Sequence, residues 1–345
     1  MKIIWGKVFG LGISLCLIVG ASGSVCGQDP VKETYPPKPP RAPRPQPKVF
    51  PPGTDGILSD QRVTSEKSLA VDPNLSVKMC VLDGRVEING WSRNELRVFV
   101  KNGTRTNLRI QEKDPTSGKP NWIFITRMVS AGGRTQECLA GESVEIDAPA
   151  GASFRLEGHA TRMTIDSVRR VTIKNVEGSI ALRNITGGIS AVAYQGDVAV
   201  ENSSGAIALE STNGNIAAFG VNPGQIGDLF RVKTTSGAIS LQKVEHRQID
   251  ANSITGSVFF NGKLLVGGLY NFKTSNGSIR MLIPGDSSLM LKAVYGLGTF
   301  NSELPLKVLT EDITPQARIL VGTIGNGDAT VNLTTSSGSI GIRKQ

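Results

Sequence analysis

The sequence predicts an all-β fold, a parallel β-solenoid (β-helix) of short strand-turn repeats with a more irregular β portion on its N-terminal side. Three observations predict it. Five glycines, Gly178, Gly187, Gly196, Gly205 and Gly214, recur every nine residues, each opening a Gly-x-(Ile or Val)-x-apolar unit. A short fixed period is the mark of a stacked repeat. Within each unit apolar residues alternate with small or polar ones, the pattern of a strand with one buried face. No segment carries the spacing of a long amphipathic helix.

Taken in chain order, residues 1–27 read as an export signal. Lys2 and Lys7 form a positive start, Val8 to Gly20 is apolar, and the small residues Ala21, Ser22, Gly23 and Ser24 follow. An apolar run of about a dozen residues is too short to cross a ~30 Å bilayer as a helix. Cleavage after Gly27 and after Gly23 both fit, and an uncleaved anchor is the alternative. Cys26 raises a lipid-anchor reading, the weaker one, because Gly23-Ser24-Val25 fits a lipid-attachment box poorly.

Residues 28–62 read as a disordered, basic, proline-rich linker. Between 29 and 52 ten of 24 residues are proline and five are Lys or Arg (Lys32, Lys38, Arg41, Arg44, Lys48). Such a segment favours extended polyproline II, reaching roughly 70 Å at ~3.1 Å per residue. It reads as a tether, or as an arm that touches anionic envelope polymer or lipid headgroups.

Residues 63–345 read as one β-solenoid domain, with regular repeats over about 165–345. Its early part is less regular. Cys80 to Ile88 resembles an early unit, Glu95 to Val100 alternates like a strand, and Asp114 to Pro120 is a turn-rich loop. In the ladder itself the third and fifth positions are apolar and point inward: Ile180 and Leu182, Ile189 and Ala191, Val198 and Val200, Ile207 and Leu209, Ile216 and Ala218. The fourth position then points outward and is very small, namely Ala181, Ser190, Ala199, Ala208 and Ala217, which predicts a flat outer column. Two nine-residue units make a coil of about 18 residues and three make about 27; the sequence leaves that open.

After Gly214 the period loosens. Gly237, Gly256, Gly277 and Gly298 follow at wider intervals, and the last unit opens at Gly338. Three units share a longer preface: Thr234-Thr235-Ser236-Gly237, Thr274-Ser275-Asn276-Gly277 and Thr335-Ser336-Ser337-Gly338. An irregular insert lies near 302–320.

Charge and composition exclude several function classes. The net +9 falls to about +4 once Lys2, Lys7 and the proline arm are set aside. With aromatics at 5% and no long Lys/Arg run, nucleic acid is not a partner. A calcium-binding nonapeptide repeat needs a recurring aspartate, but the residue after glycine is Ser, Gly, Asp, Ala and Asn in turn. Only His159 and His246 are present, without zinc-ligand spacing, so no metal or cofactor is expected. The ladder's acids, Asp197, Glu201 and Glu210, have no partners at matching positions for glycoside chemistry. No serine sits in a nucleophile elbow, so no catalytic residue is expected. Of the four cysteines Cys16 leaves with the signal, and Cys26 too if cleavage follows Gly27, which leaves Cys80 and Cys138 either as a disulfide or as two buried thiols.

The segments GRVEINGWSRNELRVFV at 84–100, the nine-residue ladder, FKTSNGSIRMLIPGDSSLMLKAVYGLGTFNSELP at 272–305 and GNGDATVNLTTSSGSIGI at 325–342 resemble a bacterial family of putative adhesins, a domain of unknown function built from Gly-x-Ile/Val strand-turn units. The likeness covers about 75–345. It implies a β-helical fold and an exported location. Together these readings point to an exported, non-enzymatic scaffold of the cell envelope or surface (periplasmic, surface-bound or secreted) that contacts envelope polysaccharide or a surface protein. The alternatives are a polysaccharide-active β-helix enzyme and a structural assembly module.

Overall fold

The computed structural model describes residues 63–128 and 138–345. The segments expected to form an export signal and a proline-rich linker lie outside the described residues. Among those described there are 25 strands in one continuous hydrogen-bonded sheet, and no α-helix.

The first strands are β1 (Val63–Ala70), β2 (Ser76–Trp91), β3 (Glu95–Gly103), β4 (Thr106–Lys113), β5 (Pro120–Arg127), β6 (Ser143–Pro149) and β7 (Ser153–Asp166). The regular part holds β8 (Arg170–Glu177), β9 (Ile180–Arg183), β10 (Ile189–Gln195), β11 (Val198–Glu201), β12 (Ile207–Asn213) and β13 (Ile216–Val221). It continues through β14 (Leu229–Ser236), β15 (Ile239–Val244), β16 (Gln248–Thr255), β17 (Val258–Asn261), β18 (Leu269–Asn276) and β19 (Ile279–Ile283). The last strands are β20 (Leu289–Leu297), β21 (Phe300–Ser302), β22 (Lys307–Ile313), β23 (Arg318–Ile324), β24 (Ala329–Ser337) and β25 (Ile340–Lys344).

Each strand of the regular part pairs in parallel with the strand two later, so each coil has two strands and the sheet folds into two faces. One face runs β8, β10, β12, β14, β16, β18; the other runs β9, β11, β13, β15, β17, β19. Alternation then sends every second residue into the slot between the faces. Ile180, Leu182, Ile189, Ala191, Val198, Val200, Ile207, Leu209, Ile216 and Ala218 are all buried. Further along, larger side chains fill the slot: Phe230, Phe260, Tyr270 and Phe272, with the Phe260 and Phe272 rings 5.3 Å apart.

The two corners of a coil differ. At one, a glycine and one further residue join the faces in every coil from Gly178-Ser179 to Gly338-Ser339. Gly178, Gly196, Gly214, Gly237, Gly256, Gly277, Gly338 and Gly298 stack there in a column. A Cβ on Gly237 would lie 2.1 Å from the Gly214 carbonyl oxygen, and one on Gly256 2.0 Å from that of Gly237. No side chain fits. Gly187 and Gly205, in contrast, belong to the opposite corner, where Gly205 packs on the Gly188 backbone. The nine-residue ladder is therefore two interleaved 18-residue columns, one per corner. The second corner carries all the length variation, from the three residues 245–247 to the seven of 222–228 and 262–268. That is why the period loosens after Gly214 while the Gly-x corner does not change.

The order of coils departs from chain order at the end. β24 pairs with β18 on one side and β20 on the other, and β25 lies likewise between β19 and β21. The chain builds its outermost coil first, reverses through the β22–β23 hairpin that occupies the irregular insert, and returns to fill the slot it skipped. At the other end β2 and β7 run across both faces, paired from Ser76↔Ser153 to Asn89↔Asp166. Antiparallel β4–β5 and β1–β3–β6 close that end, so no long apolar parallel edge is left open there. Where β2 crosses the corner, Cys80 is disulfide-bonded to Cys138.

Candidate functional site

The outer surface is the first place to look, and it corrects one expectation. Ala181, Ala199 and Ala217 are in register on one face, while Ser190 and Ala208 are in register on the other. Successive nine-residue units alternate between faces, so the single five-residue column does not exist. The two shorter rows are exposed or half-buried. They are flanked by larger residues: Arg231 follows Ala208, and Ser240 and Phe259 follow Ala217.

The acids of the ladder are also separated. Glu201 pairs with Arg183 at 3.1 Å on one face and Glu210 with Lys233 at 3.3 Å on the other. Asp197 sits at the Gly-x corner, where its Oδ1 accepts the Asn215 backbone N–H at 2.7 Å. His159 is exposed. His246 is buried; its Nε2 bonds the Gly205 carbonyl at 2.9 Å, and burial holds its pKa below the usual imidazole value. Among the described residues no cluster of His, Cys, Asp or Glu is placed to hold a metal.

The Gly-x corner itself is a closed hydrogen-bond system, and it explains the shared preface. The residue three before each glycine points inward, and its hydroxyl donates to the glycine carbonyl one coil earlier. Ser211 serves Gly196, Thr234 serves Gly214, Ser253 serves Gly237, Thr274 serves Gly256 and Thr335 serves Gly277, at 2.8–3.1 Å. Ala193 breaks the series, and there Asn175 donates its amide to the Gly178 carbonyl instead. The residue after glycine solves the complementary problem. Asn215 Oδ1 accepts the Ala238 N–H, and Ser278 Oγ accepts the Ser339 N–H. Buried backbone groups outside the ladder need such partners. The preface Ser/Thr-x-x-Gly is thus structural, and its signal was present in the sequence.

Several clefts indent the described surface, and one of them is lined by aromatic, hydroxyl and charged side chains together. A cleft of about 640 Å³ opens near the N-terminal end, on the face made by β5, β2, β7 and β8. Volumes of ~300–1,000 Å³ are usual for small-molecule sites. Parallel register aligns Trp122, Ser76, Ser153 and Arg170 in one row across those four strands. The next outward row brings Lys78, Arg155 and Thr172 together. Trp122 is 44% exposed, a large apolar ring left in water. Arg169 adds a second guanidinium, held by bonds to the Gly151 carbonyl and Ser153 Oγ. Three carboxylates, Asp72, Glu112 and Asp114, also line the cleft; the β4–β5 register sets Glu112 beside Trp122, at the other end of the row from Arg170, and backbone bonds to Pro120 and Lys119 hold Asp72 and Asp114 near that end. Two of them are engaged by their own turns: Asp72 accepts the Asn74 N–H, and Asp114 accepts those of Thr116 and Ser117. The Ser117 bonds, ahead of that from Thr116, hold the Asp114 carboxyl below the ordinary carboxylate range. Sequence reading missed this site entirely.

No similar sequence was found among curated proteins. Among solved structures, a putative adhesin from Bacteroides fragilis aligns over 83% of this chain and 99% of its own, at 11% identity and a TM-score of 0.38. A putative adhesin from Parabacteroides merdae aligns over 64% of this chain and 89% of its own, at 12% identity and a TM-score of 0.32. A putative lipid binding protein from Parabacteroides distasonis covers 82% of this chain and 96% of its own, at 10% identity and a TM-score of 0.32. The family profile described as Toastrack DUF4097 matches residues 83–343, so the chain, with its stacked Gly-x corners and two-strand coils, belongs to that family.

Proposed function

We propose that the chain is an exported, non-enzymatic binding scaffold of the cell envelope or cell surface, contacting envelope polysaccharide or a surface protein. The observation that carries this reading is the pair of long outer faces, in which mostly polar and charged side chains, with two short rows of small ones, repeat at the ~4.8 Å spacing of stacked strands. Many weak contacts along such a face add by avidity rather than through one deep pocket. The Cys80–Cys138 disulfide supports export, because such bonds persist in oxidising compartments. The signal-like start of the sequence and the proline-rich arm support a tethered placement outside the cytoplasm.

The cleft favours one second reading, a polysaccharide-active enzyme, because three carboxylates line it. A general acid needs a raised pKa. Asp114 is shifted the other way, and Asp72 is bound to its own turn. The test is a glycan and matrix-protein array probed with the purified chain, with turnover of each bound glycan followed in parallel. Binding without product is the expected result. Product release overturns the non-enzymatic reading, and silence on both shifts the chain to a structural assembly role.

A further inference from the structure

We propose that the N-terminal cleft is a subsite for an acidic saccharide, a short uronate-bearing glycan; this rests on the scaffold reading above and gives it a location. Three kinds of group converge there. Trp122 offers a half-exposed indole face against which the apolar face of a pyranose ring can lie. The Ser76 and Ser153 side chains, small and central in the row, leave the floor low and present hydroxyls that can donate or accept. Ser153 Oγ already accepts a bond from Arg169, which leaves its own proton free for a ligand oxygen. At the far end of the row stand the guanidiniums.

Their state decides the ligand's charge. Arg170 uses Nε on the Gly187 carbonyl, which fixes its direction and leaves its outer nitrogens unused. Arg155 is exposed and has no ion-pair partner among the described residues. A planar guanidinium fork matches a carboxylate through two parallel bonds. Lys78, by comparison, is already near Glu157 at 3.9 Å. At the Trp122 end Glu112 and the spare oxygens of Asp72 and Asp114 can accept hydrogen bonds from hydroxyls and repel a carboxylate. The two ends of the row therefore orient a ligand that has hydroxyls at one end and an acid at the other. The row from Trp122 to Arg170 spans three strand spacings, about 14 Å, so it takes a short oligosaccharide. Asn121, also lining the cleft, has a shielded Oδ1 without a hydrogen-bond partner, an acceptor that a bound hydroxyl or a water can satisfy.

The experiment titrates the purified chain with trigalacturonate and with its carboxyl-reduced, neutral counterpart, following tryptophan fluorescence and binding heat. The expected result is a preference for the acidic trisaccharide. Arg155→Ala and Arg170→Ala each weaken it about tenfold or more, as loss of a charged hydrogen bond does, and together they abolish the preference. Trp122→Phe removes the fluorescence change. Arg280→Ala, on the opposite face, leaves affinity unchanged, and unaltered urea midpoints show that all variants fold. No binding of trigalacturonate, equal binding of the neutral sugar, or affinity unmoved by the arginine variants overturns the subsite. If an array ligand binds but does not compete with trigalacturonate, the subsite falls and the scaffold reading stands. If anionic phospholipid vesicles bind through Arg155 and Arg170 while the trisaccharide does not, the cleft is a lipid site and the saccharide proposal is wrong. If the trisaccharide binds in the cleft and is cut, the subsite stands and the non-enzymatic reading falls.

Discussion

The two corners of the coil solve the same geometric problem by opposite means. At the Gly-x corner the connection is always two residues, the glycines touch carbonyl to backbone, and a recurring hydroxyl from the next coil meets the glycine carbonyl. At the other corner the connection varies from three to seven residues. Its tips carry Ile226 and Val266, 99% and 69% exposed. One corner sets the stacking and tolerates no change in length. The other absorbs insertions, because loop closure costs grow only slowly with length. Variation is thus confined to one long edge of the stack, and the cleft opens where that edge meets the β5–β2–β7–β8 face, with Arg169 supplied by the corner itself and Arg170 by the first position of β8.

The sharpest way to break this contrast is to add one carbon at each corner. In Gly237→Ala the new Cβ would lie 2.1 Å from the Gly214 carbonyl, and the backbone φ of +152° already disfavours it. Strain plus overpacking should cost roughly 3–5 kcal/mol. Gly227→Ala, in the variable corner, meets nothing within 4 Å, although its φ is +93°. It should lose only about 1–2 kcal/mol, the left-handed penalty. Urea midpoints measure both. Equal losses would mean that the glycine column is not what sets the stack.

A smaller effect tests the hydroxyl series. Thr274 is buried, and its Oγ1 donates to the Gly256 carbonyl at 2.8 Å. Thr274→Val keeps the shape and strands that carbonyl, at a cost of about 1–3 kcal/mol. Thr235→Val, exposed in the same preface motif, should stay within ~0.5 kcal/mol. At Ala193, where Asn175 already serves the carbonyl, Ala193→Ser should gain little. A large gain there would show that the amide is a poor substitute.

Much of the fold was legible because it is local. Ile180 and Leu182 face inward by simple alternation, and the glycine spacing announces stacking. What was not legible depends on which residues become neighbours. Ala181 and Ser190 look like successive members of one column, yet a two-strand coil puts them on opposite faces. Nothing in the Gly338 unit says that it will slide between the coils of Gly277 and Gly298, because that choice is made by strand pairing. The cleft is the extreme case. Ser76, Trp122, Ser153 and Arg170 are unremarkable in their own segments and meet only through three parallel registers. The Thr-x-x-Gly preface, in contrast, was visible in the sequence, and only its hydrogen-bonding role was missing.

The smallest effect comes from the one buried titratable ring at the variable corner. His246 donates from Nε2 to the Gly205 carbonyl, so the neutral ring carries its proton there and leaves Nδ1 bare and unpartnered. Phe230 packs at 5.5 Å between ring centres. Burial lowers the pKa, opposed by the Gly205 bond and by the charge of Asp228. A base whose folded pKa is depressed takes up its proton more readily when unfolded. Above pH ~6.5 both states are neutral and the ring costs nothing. As pH falls below that value the unfolded chain gains a proton that the folded chain refuses, and stability declines until the folded pKa is reached. Urea midpoints between pH 7.5 and pH 5 should therefore fall, and His246→Gln should flatten the slope. A slope that survives His246→Gln would show that the buried ring is not the source of the acid sensitivity. The two corners would then differ only in length and packing, without a difference in their response to protons.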